Sequence, residues 1–156
     1  MIQVREITDK DCKTRITLEV MNALTLWFSP PEDIQKKSMT HRDYPFFAAF
    51  DGEEPIGFVA LKIHNRYTAE IYAIGILEPY HRKGIGHSLL TSCEEYCRAN
   101  GLIYLTAKTL DESVAYEPYD RTRAFYHKNG FMPLEVFTTF WNEENPCLFL
   151  AKYLGA

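Results

Sequence analysis

One stretch in the middle of the chain decides the fold, and it reads Glu78-Pro79-Tyr80-His81-Arg82-Lys83-Gly84-Ile85-Gly86-His87-Ser88-Leu89-Leu90. The apolar run before it, from Glu70 to Leu77, predicts a strand, and apolar residues at helical spacing behind it, as far as Cys97, predict a helix. Two glycines allow close approach of the backbone, and a helix N-terminus offers unpaired N–H donors. Arg82 and Lys83 add positive charge. The stretch therefore predicts an anion site between a strand and a helix; an ordinary turn with a solvated basic edge is the alternative.

The glycine spacing separates this turn from two familiar phosphate-binding motifs. A dinucleotide fingerprint needs a third glycine three residues after the second, and this chain has Leu89 there. A P-loop needs Gly-Lys followed by Ser or Thr, whereas Lys83 precedes Gly84. The turn is therefore an anion site of a different type, and a nucleotide-binding regulator would lack its defining residues.

Length and composition narrow the class of protein. The 156 residues, 46% of them hydrophobic, predict a single domain over residues 1–156. The net charge of −4 argues against general nucleic-acid binding, which needs a basic face. No apolar stretch approaches the roughly 20 residues of a membrane helix, so we expect no membrane partner and a cytoplasmic location. The four cysteines form no C-x-x-C pair, which predicts apolar packing in a reducing compartment and no metal.

Periodicity along the chain predicts the element order β-α-α-β-β-β-α-β-α-β-β. Asp51-Gly52 is a hairpin signal, and Asn100-Gly101 and Asn129-Gly130 are helix stops. This order predicts an α/β (α+β) fold with a mixed, mostly antiparallel seven-stranded sheet and helices on both faces. The predicted strands are 2–7, 46–50, 56–63, 70–77, 102–106, 131–140 and 147–153, and the predicted helices are 9–29, 31–39, 85–99 and 121–128.

The central stretch is similar to motif A of the GNAT superfamily of N-acetyltransferases, Gln/Arg-x-x-Gly-x-Gly/Ala, with His81 where Gln or Arg is usual. The run Arg121-Thr122-Arg123-Ala124-Phe125-Tyr126-His127-Lys128-Asn129-Gly130-Phe131 resembles motif B of the same superfamily, although Ala124 directly precedes Phe125. The element order also matches, so the resemblance covers essentially the whole chain. It implies a GNAT-type sheet, splayed at the strands around a coenzyme A site, with acetyl-CoA as acyl donor and no metal.

The resemblance also implies which residues hold the cofactor. The pyrophosphate binds backbone amides of motif A, and the pantetheine arm lies between the splayed strands. Gly75, inside the strand before motif A, marks either a bulge or close packing against a neighbour. The expected cofactor-binding residues are Ile74, Ile76, Leu77, His81, Arg82, Lys83, Gly84, Ile85, Gly86, His87 and Tyr126.

Two side chains are candidates for the chemistry. Glu70, fourteen residues before Gly84, matches the position of the catalytic glutamate in histone-acetylating members, so it is the candidate base. Its alternative is a solvated carboxylate at a strand start. Tyr126 of motif B is the candidate acid for the departing thiolate, and its alternative is a core aromatic. A backbone N–H near Ile76 is the expected oxyanion donor.

The acceptor side is only weakly encoded. Tyr116 and Tyr119, in the acidic loop 111–120, and Trp27 are candidate walls for a cationic amine; a solvated loop is the alternative. The predicted reaction moves acetyl from acetyl-CoA to a primary amine of a small molecule by direct attack in a ternary complex. A protein amine as acceptor and a non-catalytic acyl-CoA-binding sensor are the alternatives. Aromatic residues in the last strands permit a homodimer.

Overall fold

The central sheet has seven strands in the order β1-β2-β3-β4-β5-β7-β6. A computed structural model describes residues 1–155. Short 3₁₀ turns occupy His41–Asp43 and Glu78–Tyr80. The strands are β1 Ile2–Glu6, β2 Phe46–Asp51, β3 Glu54–Ile63, β4 Thr68–Ile76, β5 Tyr104–Leu110, β6 Met132–Asn142 and β7 Asn145–Tyr153, and the helices are α1 Lys10–Ala23, α2 Pro31–Thr40, α3 Ile85–Ala99 and α4 Glu117–Lys128.

The predicted fold class and element order are confirmed. β4 and β5 are parallel because α3 crosses over between them, and the other neighbouring strands are antiparallel. The sheet is therefore mixed and mostly antiparallel, as the sequence predicts.

Each face of the sheet has its own hydrophobic core. On one face, Ile16 and Val20 of α1 pack with Phe46 and Phe58. On the other face, α3 supplies a buried stripe that includes Leu89, Cys93 and Cys97 and packs with Leu105 and Phe131. The four-residue spacing of that stripe keeps it on one side of the helix. Among residues 1–155, no helix is both long and apolar enough to cross a membrane.

Three element boundaries differ most from the sequence prediction, and several strand ends differ by about two residues. α1 ends at Ala23 rather than near Ser29, and the residues after it form a turn in which Trp27 and Phe28 donate their N–H groups to the Leu24 carbonyl. α4 begins at Glu117 rather than at residue 121, because Pro118 is compatible with a first helical turn. β5 continues past residue 106 to Leu110, because β7 pairs along its whole length.

The parallel pair β4–β5 separates part-way along the strands. Its pairing runs from Thr68 opposite Tyr104 to Ile71 opposite Ala107, after which β4 stays with β3 and β5 stays with β7. A bulge at Tyr72 accompanies the separation, since Ala60 lies opposite Ala73 and Leu61 opposite Ile71. The sheet is therefore split at its centre.

Gly75 lies beside this split but is not the bulge. It pairs regularly with Phe58, and a Cβ there would lie 3.1 Å from Cδ1 of Leu24 and 3.2 Å from Cγ1 of Val20. The bulge interpretation of Gly75 is wrong, and close packing against α1 accounts for the glycine.

Candidate active site

The turn between β4 and α3 has the backbone geometry of an anion site. Arg82 and Gly84 both have positive φ, 63° and 78°. Gly84 is the N-cap of α3, and no side chain caps the helix there. The first N–H groups of α3 therefore remain available to an anion, and the strained backbone of Arg82 is of the kind found at functional sites.

An open groove of about 910 Å³ begins at this turn and reaches into the split. Residues from four parts of the fold meet there: the turn after α1, strand β4, the start of α3, and α4. The cationic side chains among them are Arg82, Arg121 and Lys128, which suit a ligand with several negative charges. The residues lining the groove include Trp27, Ile74, Gly75, Ile76, Tyr80, His81, Arg82, Gly84, Ile85, Gly86, His87, Arg121, Phe125 and Lys128.

The backbone of β4 offers hydrogen-bonding groups to the split. Leu77 donates its N–H to the Ile56 carbonyl on β3. Bonded pairs alternate along an antiparallel ladder, so the N–H and C=O groups of Ile74 and Ile76 point away from β3. On that side β5 has already separated, so an extended ligand could pair with this edge.

Three expected cofactor contacts lie outside the groove: Leu77, Lys83 and Tyr126, the last described below. Leu77 does not line the groove; its backbone N–H is bonded to β3, and its side chain packs against both cores. Lys83 does not line it either; its ammonium lies 5.6 Å from the centre of the Tyr80 ring, beside a separate shallow pocket that includes Val4.

His81 joins the turn to the strand. Its Nε2 donates a hydrogen bond to the Ile76 carbonyl at 2.5 Å, and its ring meets the edge of Trp27 at 5.6 Å. Both residues line the groove, as the sequence predicts. His81 therefore helps to hold the end of β4 in its separated position.

Three aromatic side chains fasten the turn after α1 to α4. Trp27 Nε1 donates to the Pro118 carbonyl at 3.1 Å, Tyr119 donates its hydroxyl to the Trp27 carbonyl at 2.9 Å, and Tyr116 donates to the Leu26 carbonyl at 2.6 Å. Trp27 lines the groove, but Tyr116 and Tyr119 do not. The two tyrosines thus bridge the split instead of facing it.

Tyr126 lies in the core and does not line the groove. It is 3% exposed and packs against Phe131, with ring centres 5.2 Å apart. Burial, reinforced by the charge of Glu70, raises the pKa of Tyr126 well above its ordinary value. Its neighbour Phe125 faces the groove instead.

Glu70 lies in a buried ionic cluster on the opposite side of the sheet from α3. It is 6% exposed, which does not fit a solvated carboxylate. Its Oε1 accepts hydrogen bonds from His64 Nε2 at 2.6 Å and from Lys108 Nζ at 3.0 Å. Glu70 pairs with Thr106 just before the β4–β5 pairing ends, so the cluster borders the split.

A sequence model of the acetyltransferase (GNAT) family matches residues 14–131. The chain belongs to this family. The match includes the split of this GNAT domain, the anion turn and both motifs.

Two curated relatives and one solved structure show how far the similarity extends. This GNAT chain is 30% identical over 96 residues to the mycothiol acetyltransferase of Corynebacterium glutamicum strain R; the match covers 59% of this chain but only 33% of that protein, about a third of its length. It is 26% identical over 156 residues to the uncharacterized N-acetyltransferase YsnE of Bacillus subtilis, covering 98% of this chain and 99% of that one. A GNAT family acetyltransferase from Elizabethkingia anophelis with acetyl-CoA bound superposes with a TM-score of 0.74 at 20% identity over 97% of each chain, which shows a shared fold.

Sequence reasoning missed several residues of this GNAT site. His64 and Lys108 became visible as partners of Glu70 only through strand register, which the sequence does not give. Phe125 lines the groove although its neighbour Tyr126 does not, because successive residues of a helix point in different directions. Arg121 and Lys128, near either end of α4, line the groove together.

Proposed function

We propose that this chain transfers an acetyl group from acetyl-CoA to a primary amine of a small molecule by direct attack in a ternary complex. The observation that carries the proposal is the groove through the split sheet, which begins at the uncapped N-terminus of α3. Family membership supports it, as do the N-acetyltransferase name of the Bacillus subtilis relative and the acetyl-CoA bound to the structural neighbour.

In this proposal the anion turn holds the pyrophosphate of acetyl-CoA. The N–H groups that begin α3 donate to it, and the side chains of Arg82, Arg121 and Lys128 supply countercharge. The pantetheine arm lies in the split and pairs with the N–H and C=O groups of Ile74 and the N–H group of Ile76, since the Ile76 carbonyl already accepts from His81. A backbone N–H on the same edge stabilises the negative charge that develops on the thioester oxygen.

The pair Glu70 and His64 receives the proton of the amine. His64 donates its Nε2 hydrogen to the carboxylate, which leaves Nδ1 to accept a proton, and Glu70 stabilises the imidazolium that results. Nitrogen then attacks the thioester carbon, the C–S bond breaks, and the amide and the thiolate of coenzyme A are formed. His64 is the more exposed member of the pair, so it is the one that a bound amine can reach.

Tyr126 remains our proposed proton donor to the thiolate. Because burial raises its pKa, the phenol is protonated at neutral pH. Its hydroxyl therefore acts by donating a hydrogen bond to the thiolate. Trp27, Tyr116 and Tyr119 were predicted as a wall for the acceptor. We propose that they instead support the groove.

We also propose that residues 1–156 form one catalytic domain. The cytoplasmic location and the homodimer stay predictions from the sequence. Exposure of Phe140 and Trp141 on the edge strand β6 is compatible with a partner subunit.

Release of the coenzyme A thiol from acetyl-CoA, followed with a chromogenic thiol reagent across a panel of small amines, tests the proposed reaction. We expect release that depends on one class of amine, with an amide product confirmed by mass. If acetyl-CoA binds but no amine accelerates release, the sensor interpretation replaces the enzyme.

A further inference from the structure

Two lysine side chains converge on the ring of Tyr72. The ammonium of Lys37, on α2, lies 4.8 Å from the ring centre, and that of Lys62, on β3, lies 5.9 Å from it. Within residues 1–155 neither ammonium forms an ion pair with a carboxylate, whereas Lys10 and Lys152 do. Two positive charges thus lie at the Tyr72 ring. Among the described residues, no carboxylate is in contact with either of them.

Placing the two ammonium groups at one ring costs free energy when no anion is bound. Both lysines are half-buried, so water screens their repulsion less than at an open surface. Burial lowers the pKa of Lys37, an effect that Asp33 and Glu70 oppose from a distance. An anionic group bound at the two ammoniums would remove the repulsion and favour the charged form of Lys37.

The pair lies where an acceptor would have to bind. Lys62 is directly opposite Glu70 in the strand register, on the face that α1 and α2 cover. Tyr72 is the bulge residue at which β4 leaves β5, next to the split. Its ring packs nearly perpendicular to the rings of His41 and Tyr44, with ring centres 5.7 Å and 5.1 Å apart. The positively charged spot is therefore a built feature between the proposed proton acceptor and the split.

We propose that Lys37 and Lys62 bind an anionic group of the acceptor, so that the substrate is a small amine that also carries a carboxylate or another anion. This inference rests on the proposed function, because it assigns the acceptor side of that same site. The amine end lies toward Glu70 and His64, and the anionic end lies at the ammoniums of Lys37 and Lys62, beside the Tyr72 ring. The site holds the carboxylate of Glu70 together with three lysines, Lys37, Lys62 and Lys108. It is therefore complementary to an acceptor that carries an anionic group, and it disfavours a polyamine, whose charges would face the lysines.

Binding, measured without turnover, tests the inference separately from catalysis. The protein is saturated with coenzyme A, which cannot donate an acetyl group, and titrated calorimetrically with ω-amino acids from 3-aminopropanoate to 6-aminohexanoate. Each acid is compared with its amide, and 3-aminopropylphosphonate shows whether a phosphonate serves as well as a carboxylate.

We expect at least one acid to bind and its amide to bind roughly tenfold more weakly, as for the loss of a charge-assisted hydrogen bond. Lys37→Gln and Lys62→Gln should each remove that preference. Lys36→Gln, an exposed neighbour on α2, is the matched control and should keep it. Unchanged melting temperatures would show that the variants fold.

Equal binding of acids and amides throughout the series would overturn the inference, as would an equal effect of Lys36→Gln. A protein that binds the acids in this way yet acetylates none of them would contradict the proposed function and leave the anion site standing.

Discussion

Phe125 of α4 lies so close to Gly86 of α3 that a Cβ on the glycine would come within 2.5 Å of the ring carbon Cε1. Gly86 is therefore required for space. Gly84, two residues earlier, has open space around it and is required for its positive φ. The two glycines of the motif thus serve different physical needs, and the contact with Phe125 joins both walls of the groove at the anion turn.

Gly86→Ala should destabilise the fold and weaken the cofactor site, because the added methyl group must displace the Phe125 ring. Overpacking of this kind costs about 1–3 kcal/mol of unfolding free energy. Urea denaturation and calorimetric titration with acetyl-CoA measure the two effects. Ser88→Ala, on the exposed side of the same helix, is the control and should change neither quantity. The double variant Gly86→Ala/Phe125→Leu should recover part of the loss; no recovery would show that Phe125 is not the cause.

Glu70→Gln should lower kcat by about 10²-fold or more, the usual scale for loss of acid–base catalysis, because the imidazolium of His64 would lose its stabilising carboxylate. The deficit should be largest below the pKa of the acceptor amine, where the amine must lose a proton. Affinity for acetyl-CoA should stay unchanged, because Glu70 lies outside the groove. Glu94→Gln is a matched control, since Glu94 is also paired with a lysine, Lys152, but lies on α3. A pH–rate profile identical to that of the wild type would reject the base role.

Tyr126→Phe should slow turnover by about tenfold if the hydroxyl stabilises the departing thiolate by a hydrogen bond. The affinity for acetyl-CoA should not change, because Tyr126 does not line the groove. Steady-state kinetics measures the turnover rate and calorimetry measures the affinity for acetyl-CoA, both on one preparation. Equal rates in the two proteins would leave Tyr126 with a purely structural role.

His41 should make the fold sensitive to acid. It is 0% exposed, its Nδ1 bonds to the Thr17 hydroxyl at 2.9 Å, and burial lowers its pKa from 6.5 to about 3. The unfolded chain therefore binds a proton that the folded chain excludes, so stability is fully present above pH 6.5 and falls as the pH drops toward 3.

Between pH 6.5 and about 3, the unfolding free energy lost through His41 approaches about 1.4 kcal/mol per pH unit. Urea denaturation at pH 7, 6 and 5 measures the slope. His41→Asn should flatten it relative to the wild type, whereas His127→Asn, an exposed histidine of α4, should leave it unchanged. Parallel slopes in the wild type and His41→Asn would contradict the assignment.

The sequence predicted what depends on local pattern. Every strand and helix was predicted in the right order. The prediction used hairpin turns, helix stops and the four-residue spacing of Leu89, Cys93 and Cys97. The glycine motif lies at the groove, and Ile74, Ile76 and His81 line it, while their roles in holding the cofactor stay predictions.

What the sequence could not predict depends on contacts between distant segments. The ion pair from Lys108 to Glu70 follows from the register of two strands joined by a long crossover. The bulge lies at Tyr72, whereas Gly75 allows close packing of α1 on β4, and neither feature can be deduced from local pattern. Tyr116 and Tyr119 were predicted to face a substrate. The sequence could not show that they bond to the turn after α1, because their partners are 90 and 92 residues away along the chain.

The central claim is that the split sheet holds acetyl-CoA, and calorimetric titration of the protein with acetyl-CoA tests it most directly. We predict saturable binding at one site per chain, competed by coenzyme A but not by ATP or NAD, and weakened in Gly86→Ala. A titration without binding heat, together with an unchanged melting temperature in excess acetyl-CoA, would contradict the account.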